Sequence, residues 1–277
     1  MNKNPIGKNG DFITSPNISI LFSEMIASQQ MVKAHRETMR RSLPGDDEAP
    51  MAIQLSGCDP AVMAEAAKIN EDRGAALIDI NMGCPVDKVA KKNGGSLLLR
   101  DCTNTLKLVE QVLAVVESRG GGRVPLTAKV RLGWDEDSIV APTLARDLEQ
   151  VGVAMVTVHG RTTKQFFSGQ ANWDAIGDVV EAVRSIPVIG NGDVTTPEDA
   201  VELVRRSGCA GVMIGRGALR RPWLLQRSTN ALLHGDPGPE PTFNQKIDMV
   251  LRHLDLLQEY TVPRLVIATM RKLSLIH

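Results

Sequence analysis

Cysteine is scarce and scattered in this 277-residue chain: four residues, at positions 58, 84, 102 and 209, with no Cys-x-x-Cys pair. That spacing argues against a disulfide framework and a structural zinc site, and a reducing cytoplasm is the simplest compartment. Long apolar runs are missing as well. No stretch reaches the roughly 18 apolar residues of a membrane-spanning helix, and Met1-Asn2-Lys3-Asn4-Pro5 lacks the apolar core of a signal peptide. Neither charge sign dominates, with 32 basic against 32 acidic residues. The sum therefore neither supports nor excludes a nucleic-acid partner, for which local patches matter more. Several signatures are absent too. No Gly-x-Gly-x-x-Gly follows an early strand, and neither a Walker loop nor a nucleophile elbow occurs. No second His or carboxylate stands at ligand spacing from His159, so no metal is expected.

What is present is a repeated grammar on a 43% hydrophobic chain, enough for one large core. Short apolar runs end in Gly or a polar residue, and each is followed by a segment of helical period. The runs are 52–55, 77–81, 126–130, 155–159, 188–191 and 211–215, and Ile20 to Met25 adds a seventh. Helices are expected over 59–74, 103–118, 142–151 and 197–207. Asp59-Pro60 and Thr196-Pro197 each set a capping side chain before a proline at the first helical position. Strand–helix alternation implies parallel βαβ units, either a (β/α)₈ barrel short of one strand or a doubly wound open sheet. Gln54, Asn81, Lys129, His159, Asn191 and Arg216 fall at or just past six different strand C-termini. A barrel converges such ends on one mouth, whereas an open sheet spreads them along an edge, so the barrel is the better reading. After Gly235 the turn Asp236-Pro237-Gly238-Pro239 breaks the pattern, and Phe243 to Glu259 reads as a separate helix.

Gly190-Asn191-Gly192-Asp193 and Gly215-Arg216-Gly217-Ala218 follow the last two strands. Glycine turns at these positions suit a phosphate, although they also make tight strand-to-helix turns. Lys129, at a strand end, suits the electron-rich end of a reduced flavin better than a surface ion pair. The Gln54 amide, both donor and acceptor, matches a flavin pyrimidine edge. Cys84 lies in the turn after a strand, beside Pro85, and precedes a loop bearing Lys88, Lys91 and Lys92. A thiol in a basic loop can serve as an acid or a nucleophile; core packing is the alternative, and it suits Cys102 and Cys209 better.

Together, Gln54-Leu55-Ser56-Gly57-Cys58-Asp59-Pro60, Asp79-Ile80-Asn81-Met82-Gly83-Cys84-Pro85, Gly94-Gly95-Ser96-Leu97-Leu98, Lys129-Val130-Arg131-Leu132-Gly133-Trp134, Val158-His159-Gly160-Arg161-Thr162, Asn191-Gly192-Asp193 and Ile214-Gly215-Arg216-Gly217-Ala218 resemble the bacterial tRNA-dihydrouridine synthases. The resemblance spans roughly residues 20 to 227. It implies a TIM barrel that binds FMN, uses NADPH as reductant and reduces the C5–C6 bond of uridines in tRNA. In that family's pattern Cys84 protonates C5, Gln54 and Lys129 contact the isoalloxazine, and His159 lines the site. Asn191, Asp193, Gly215 and Arg216 hold the ribityl phosphate, with Gly192 also at the cofactor. Lys88, Lys91 and Lys92 are expected as phosphate contacts on the rim, with Phe166-Phe167 as a stacking surface, and Arg131 as a further RNA contact.

Two departures accompany the match. Residues 1–19 do not follow the family's first strand, so a barrel without a normal first strand is expected over 20–235. Residues 240–277 read as the beginning of a truncated helical tRNA-binding domain. A different flavin barrel acting on a small molecule, or an inactive fragment, is the alternative reading of the same motifs.

Overall fold

Residues of the parallel strands divide by alternation between two environments. Along the strand β6 (Leu126–Arg131), Leu126, Ala128 and Val130 join the large core shared with helix residues such as Val112, Leu144 and Leu203. The intervening Thr127, Lys129 and Arg131 face the other way, as the period of two in a strand requires. A smaller apolar cluster of Ala52, Leu77, Ile189 and Met213, with Met155 against it, fills the interior on the other side of the strands.

The computed structural model describes residues 12–15, 18–22, 25–35, 38–39, 50–86, 94–117 and 124–260, with Val266 and Met270. The strands β4 (Met51–Ser56), β5 (Leu77–Met82), β6, β7 (Met155–His159), β8 (Val188–Asn191) and β9 (Gly211–Ile214) are parallel, each paired with the next in sequence. The strands β2 (Ile18–Phe22) and β3 (Ile26–Ala27) both run parallel along β4, with Leu21 opposite Met51 and Ile26 opposite Leu55. They form one interrupted stave, where the run Ile20 to Met25 is expected. The remaining gap, between β9 and β2, is filled by β1 (Phe12–Ser15), antiparallel to both. The ring therefore closes as seven parallel staves and one reversed one. The first strand is abnormal in direction, but its slot is occupied, so the two open edges that a missing strand would leave are paired.

Helices cover the outside of the ring. The helix α1 (Ser28–Val32) follows β3, and α2 (Pro60–Asp72) starts where Asp59 accepts from the Val62 N–H at 3.0 Å. A 3-10 turn at Gly95–Arg100 leads into α3 (Cys102–Glu117); α4 (Ala141–Val151) and α5 (Asp174–Ala182) follow. The helix α6 (Pro197–Ser207) carries a full capping box between Thr196 and Asp199. After β9 come α7 (Arg216–Arg220), α8 (Trp223–His234) and α9 (Phe243–Tyr260). Lys246 of α9 lies over the Trp223 ring and pairs with Glu240, which also holds Arg227. Among the described residues, no helix is long and apolar enough to cross a membrane.

One contact ties α4 to the segment before β8. Glu149 accepts from the backbone N–H groups of Arg184, Ser185 and Ile186 and from the Ser185 hydroxyl. These bonds, led by the Arg184 N–H, hold its pKa down at about 2. A carboxylate with a depressed folded pKa stabilises the fold above its unfolded value near 4.5. That stability fades as the pH falls toward about 2. Glu149→Gln should therefore melt a few degrees below the parent chain at neutral pH. Thermal melts run as a pH series should show the gap narrowing as the parent's Glu149 protonates.

Candidate functional site

The C-terminal ends of the parallel strands surround a cavity of about 510 Å³, a size typical of cofactor and ligand sites. Its lining includes Gln54 from β4, Asn81 and Cys84 from β5 and its turn, Lys129 and Arg131 from β6, and His159 from β7. The last two strands contribute Asn191, Gly192, Asp193, Gly215 and Arg216. The fold thus brings the residues expected to serve catalysis and cofactor binding into one cavity. Lys88, Lys91 and Lys92 lie outside the described residues, as do residues 1–11, 16–17 and 271–277.

Hydrogen bonds order the floor. The Thr127 hydroxyl donates to Asp79 Oδ1 at 2.6 Å, and Gln54 Nε2 donates to Asp79 Oδ2 at 2.7 Å. Asn81 Nδ2 donates to Gln54 Oε1 at 2.7 Å, while Asn81 Oδ1 accepts from the N–H groups of Gly83 and Cys84. Asp79 is fully buried, and burial raises its pKa to about 6 against the opposing influence of Thr127, Gln54 and Lys129. Lys129 Nζ donates to Asn191 Oδ1 at 3.1 Å, and Asn191 Nδ2 donates to the Met213 carbonyl. Cys84 is partly exposed, and its carbonyl accepts from the Ser96 N–H, which ties the two ends of the intervening loop together.

Cations dominate the walls. Burial first, then Lys129, Arg131, Arg161 and Arg216, push the His159 pKa down to about 2, so its ring is neutral at any working pH. Arg161 Nη1 approaches His159 Nε2 at 3.4 Å. An arginine can only donate, which assigns the ring proton to Nδ1. Arg161 also makes a two-pronged contact with Asp193, at 2.8 and 2.6 Å, and donates to the carbonyls of Ser168 and Gly169. Asp193 accepts the Ala171 N–H as well, and Arg216 stands 3.8 Å away. Burial alone would raise the Asp193 pKa; the Arg161 and Ala171 bonds and the two guanidinium charges outweigh it and lower it. The Asp193 carboxylate is committed to Arg161, so any hold it has on a phosphate is indirect.

Arg131, expected as an RNA contact, lies in the cavity wall. Arg131 is 2% exposed; its Nε donates to the Gly83 carbonyl and its Nη1 to those of Thr162 and Phe166. Its pKa is lowered to about 10, first by burial and then by Arg161 and Arg216, with Cys84 pulling the opposite way. A guanidinium that clamps three carbonyls joins the Cys84 turn to the loop after β7. Phe167 sits at the mouth, with Arg216 at 4.5 Å and Arg131 at 5.5 Å from its ring centre.

The sequence reading gives no site role to Asp79, Arg161 or the cavity-lining Arg221, and it marks Asn81 only as one of six polar strand ends. Asn81 is visible there as a strand end, and the period-two pattern of Asp79 and Asn81 could have marked both as inward-facing. Nothing local announces Arg161, whose partner Asp193 is 32 residues away. Among the described residues, no three His, Cys, Asp or Glu side chains gather as a metal site.

Comparison with known proteins supplies the family. The dihydrouridine synthase family matches residues 11–276. The chain is 44% identical over 242 residues to a probable tRNA-dihydrouridine synthase of Rickettsia prowazekii, covering 87% of this chain and 72% of that one. It is 37% identical over 241 residues to tRNA-dihydrouridine synthase B of Pseudomonas putida, covering 87% and 69% respectively. Among solved structures, DHODH from Eimeria tenella superposes with a TM-score of 0.52 at 14% identity, over 74% of this chain and 61% of that one, a likeness of fold alone. The chain belongs to the dihydrouridine synthase family.

Proposed function

We propose that this chain reduces uridines in tRNA to 5,6-dihydrouridine, with FMN seated in the cavity, NADPH as the electron source and the cytoplasm as its compartment. The observation that carries the reading is the convergence of Gln54, Cys84, Lys129, His159, Asn191 and Arg216, from separate strands, on one cavity of cofactor size. The charge balance there suits an anionic cofactor. Lys129, Arg131, Arg216 and Arg221 line the cavity, and Asp193, the one lining carboxylate among the described residues, is matched by the buried Arg161.

When bound, FMN reduced by NADPH supplies the hydride for C6 of the uracil. The chain's own residues do the rest. Lys129, held by Asn191, sets a positive charge beside the cofactor's ring system, where negative charge is stabilised electrostatically. Gln54 faces the pyrimidine edge, while neutral His159 lines the site without carrying charge. Arg216 and the glycine turns at Gly192 and Gly215 hold the phosphate end. Cys84 gives its thiol proton to C5 and keeps the electron pair as thiolate, so that one hydride and one proton saturate the C5–C6 bond. The uridine has to leave its stack to reach this depth, passing Phe167 at the mouth, whose ring carries Arg216. Lys88, Lys91 and Lys92 contribute phosphate contacts, and residues 240–277, which include the helix α9, grip tRNA.

Purified protein should be yellow and release FMN on denaturation, and its NADPH oxidation should accelerate when unmodified tRNA is added. A colourless preparation that takes up no added FMN would contradict the reading.

A further inference from the structure

We infer that Asp79 is a positioning residue: it sets the direction of the buried chain Thr127–Asp79–Gln54–Asn81, and thereby holds the backbone turn that presents Cys84. The functional value of that turn rests on the role proposed for Cys84; the placement itself does not.

Donors and acceptors fix the direction of the chain. A carboxylate accepts and does not donate, so Asp79 draws the Thr127 hydroxyl to one oxygen and the NH₂ of Gln54 to the other, at 2.6 and 2.7 Å. With its NH₂ so committed, Gln54 turns its oxygen to Asn81 Nδ2 at 2.7 Å. Asn81 is then left with its oxygen toward the turn, where it accepts the Cys84 N–H at 2.9 Å and the Gly83 N–H at 3.2 Å. Read from the opposite end, the same direction follows. Backbone N–H groups can only donate, so Asn81 must present oxygen to them and NH₂ to Gln54. Gln54 must then present NH₂ downward, which requires an acceptor at position 79. Both ends impose one orientation on two amides that could otherwise flip.

Exclusion of water makes the direction matter. Asp79, Gln54, Asn81 and Thr127 are each less than a tenth exposed, so an amide turned the wrong way has little solvent to satisfy it. Asp79 also sits mid-strand, below the level at which Cys84 leaves β5, so it acts through its neighbours.

The test removes the acceptor and then restores it. Asp79→Leu takes away the oxygens that draw the Gln54 NH₂ and the Thr127 hydroxyl, and it breaks the chain. Asp79→Asn keeps an oxygen toward Gln54 and should preserve it. In Asp79→Asn/Gln54→Glu the new amide at position 79 donates to the new carboxylate at position 54, which still accepts from Asn81; total charge is unchanged. The readout is amide hydrogen exchange at Gly83 and Cys84 in the 277-residue chain, followed by mass spectrometry with circular dichroism as a fold check. Loss of these bonds should speed exchange roughly tenfold in Asp79→Leu. The double variant and Asp79→Asn should keep the parent's rate. Exchange in Asp79→Leu equal to the parent's, or in Asp79→Asn as fast as in Asp79→Leu, would overturn the inference. No flavin, tRNA or turnover enters the measurement, so it can fail while Cys84→Ala still abolishes activity, and the reverse.

Discussion

Cys84→Ala should lose on the order of 10²- to 10⁴-fold in tRNA-dependent turnover, the range typical of removing a positioned general acid, while keeping its flavin. The two halves of that expectation come from different parts of the site. Lys129, Gln54, Asn191 and Arg216 approach the cavity from other strands and do not rely on the thiol for their bonds. Cofactor content should therefore stay near the parent's. The turn itself is held by backbone N–H groups on Asn81 and by the Cys84 carbonyl on Ser96, none of which an alanine removes. A comparison with Cys209→Ala separates a chemical role from a packing one. Cys209 is buried, with its Sγ against the Gly211 carbonyl, so its replacement should lower stability and leave turnover largely intact. Stopped-flow NADPH oxidation with unmodified tRNA measures the first effect. Turnover in Cys84→Ala within a few-fold of the parent's would remove the thiol from the chemistry.

The largest structural effect should come from Arg161→Met. Arg161 is 2% exposed and spends its guanidinium on Asp193 and on the carbonyls of Ser168 and Gly169. Removing one partner of a buried pair costs about 3–5 kcal/mol, because the other charge is left uncompensated. Asp193 retains 29% of its side-chain exposure, which places the expected loss at the lower end of that range. Near 3 kcal/mol the drop in Tm is about 6–12 °C for a domain of this size. Arg161→Lys keeps a charge without the two-pronged geometry and should fall between. Arg161→Met/Asp193→Asn removes both charges and should recover part of the loss. Urea denaturation of the four proteins measures the series, and a single variant indistinguishable from the parent would contradict the assigned pair.

Much of the site was legible because barrels force strand ends together. Gln54, Lys129, His159 and Asn191 are polar residues closing apolar runs, and that pattern carries to a shared cavity whatever the side chains do locally. The caps at Asp59 and Thr196 were readable for a similar reason, since each completes its bonds within four residues. What stayed hidden depends on partners distant in sequence. Asp79 reads as one polar residue inside Leu77-Ile78-Asp79-Ile80-Asn81, and only the fold shows that it meets Gln54 and Thr127, 25 and 48 residues away. The burial of Arg131 was hidden as well, since the carbonyls of Thr162 and Phe166 that hold it lie more than 30 residues on. The reversed β1 had no signal either, since four residues fix neither a period nor a direction.

The proposed function holds that this cavity reduces uridine within tRNA rather than a free small molecule. Unmodified tRNA incubated with the FMN-loaded protein and NADPH, then digested to nucleosides and weighed by mass spectrometry, tests it most directly. Uridine should gain two hydrogens at discrete tRNA positions, with no such product from Cys84→Ala. A flavin-loaded protein that oxidises NADPH yet leaves every tRNA uridine unreduced would contradict it.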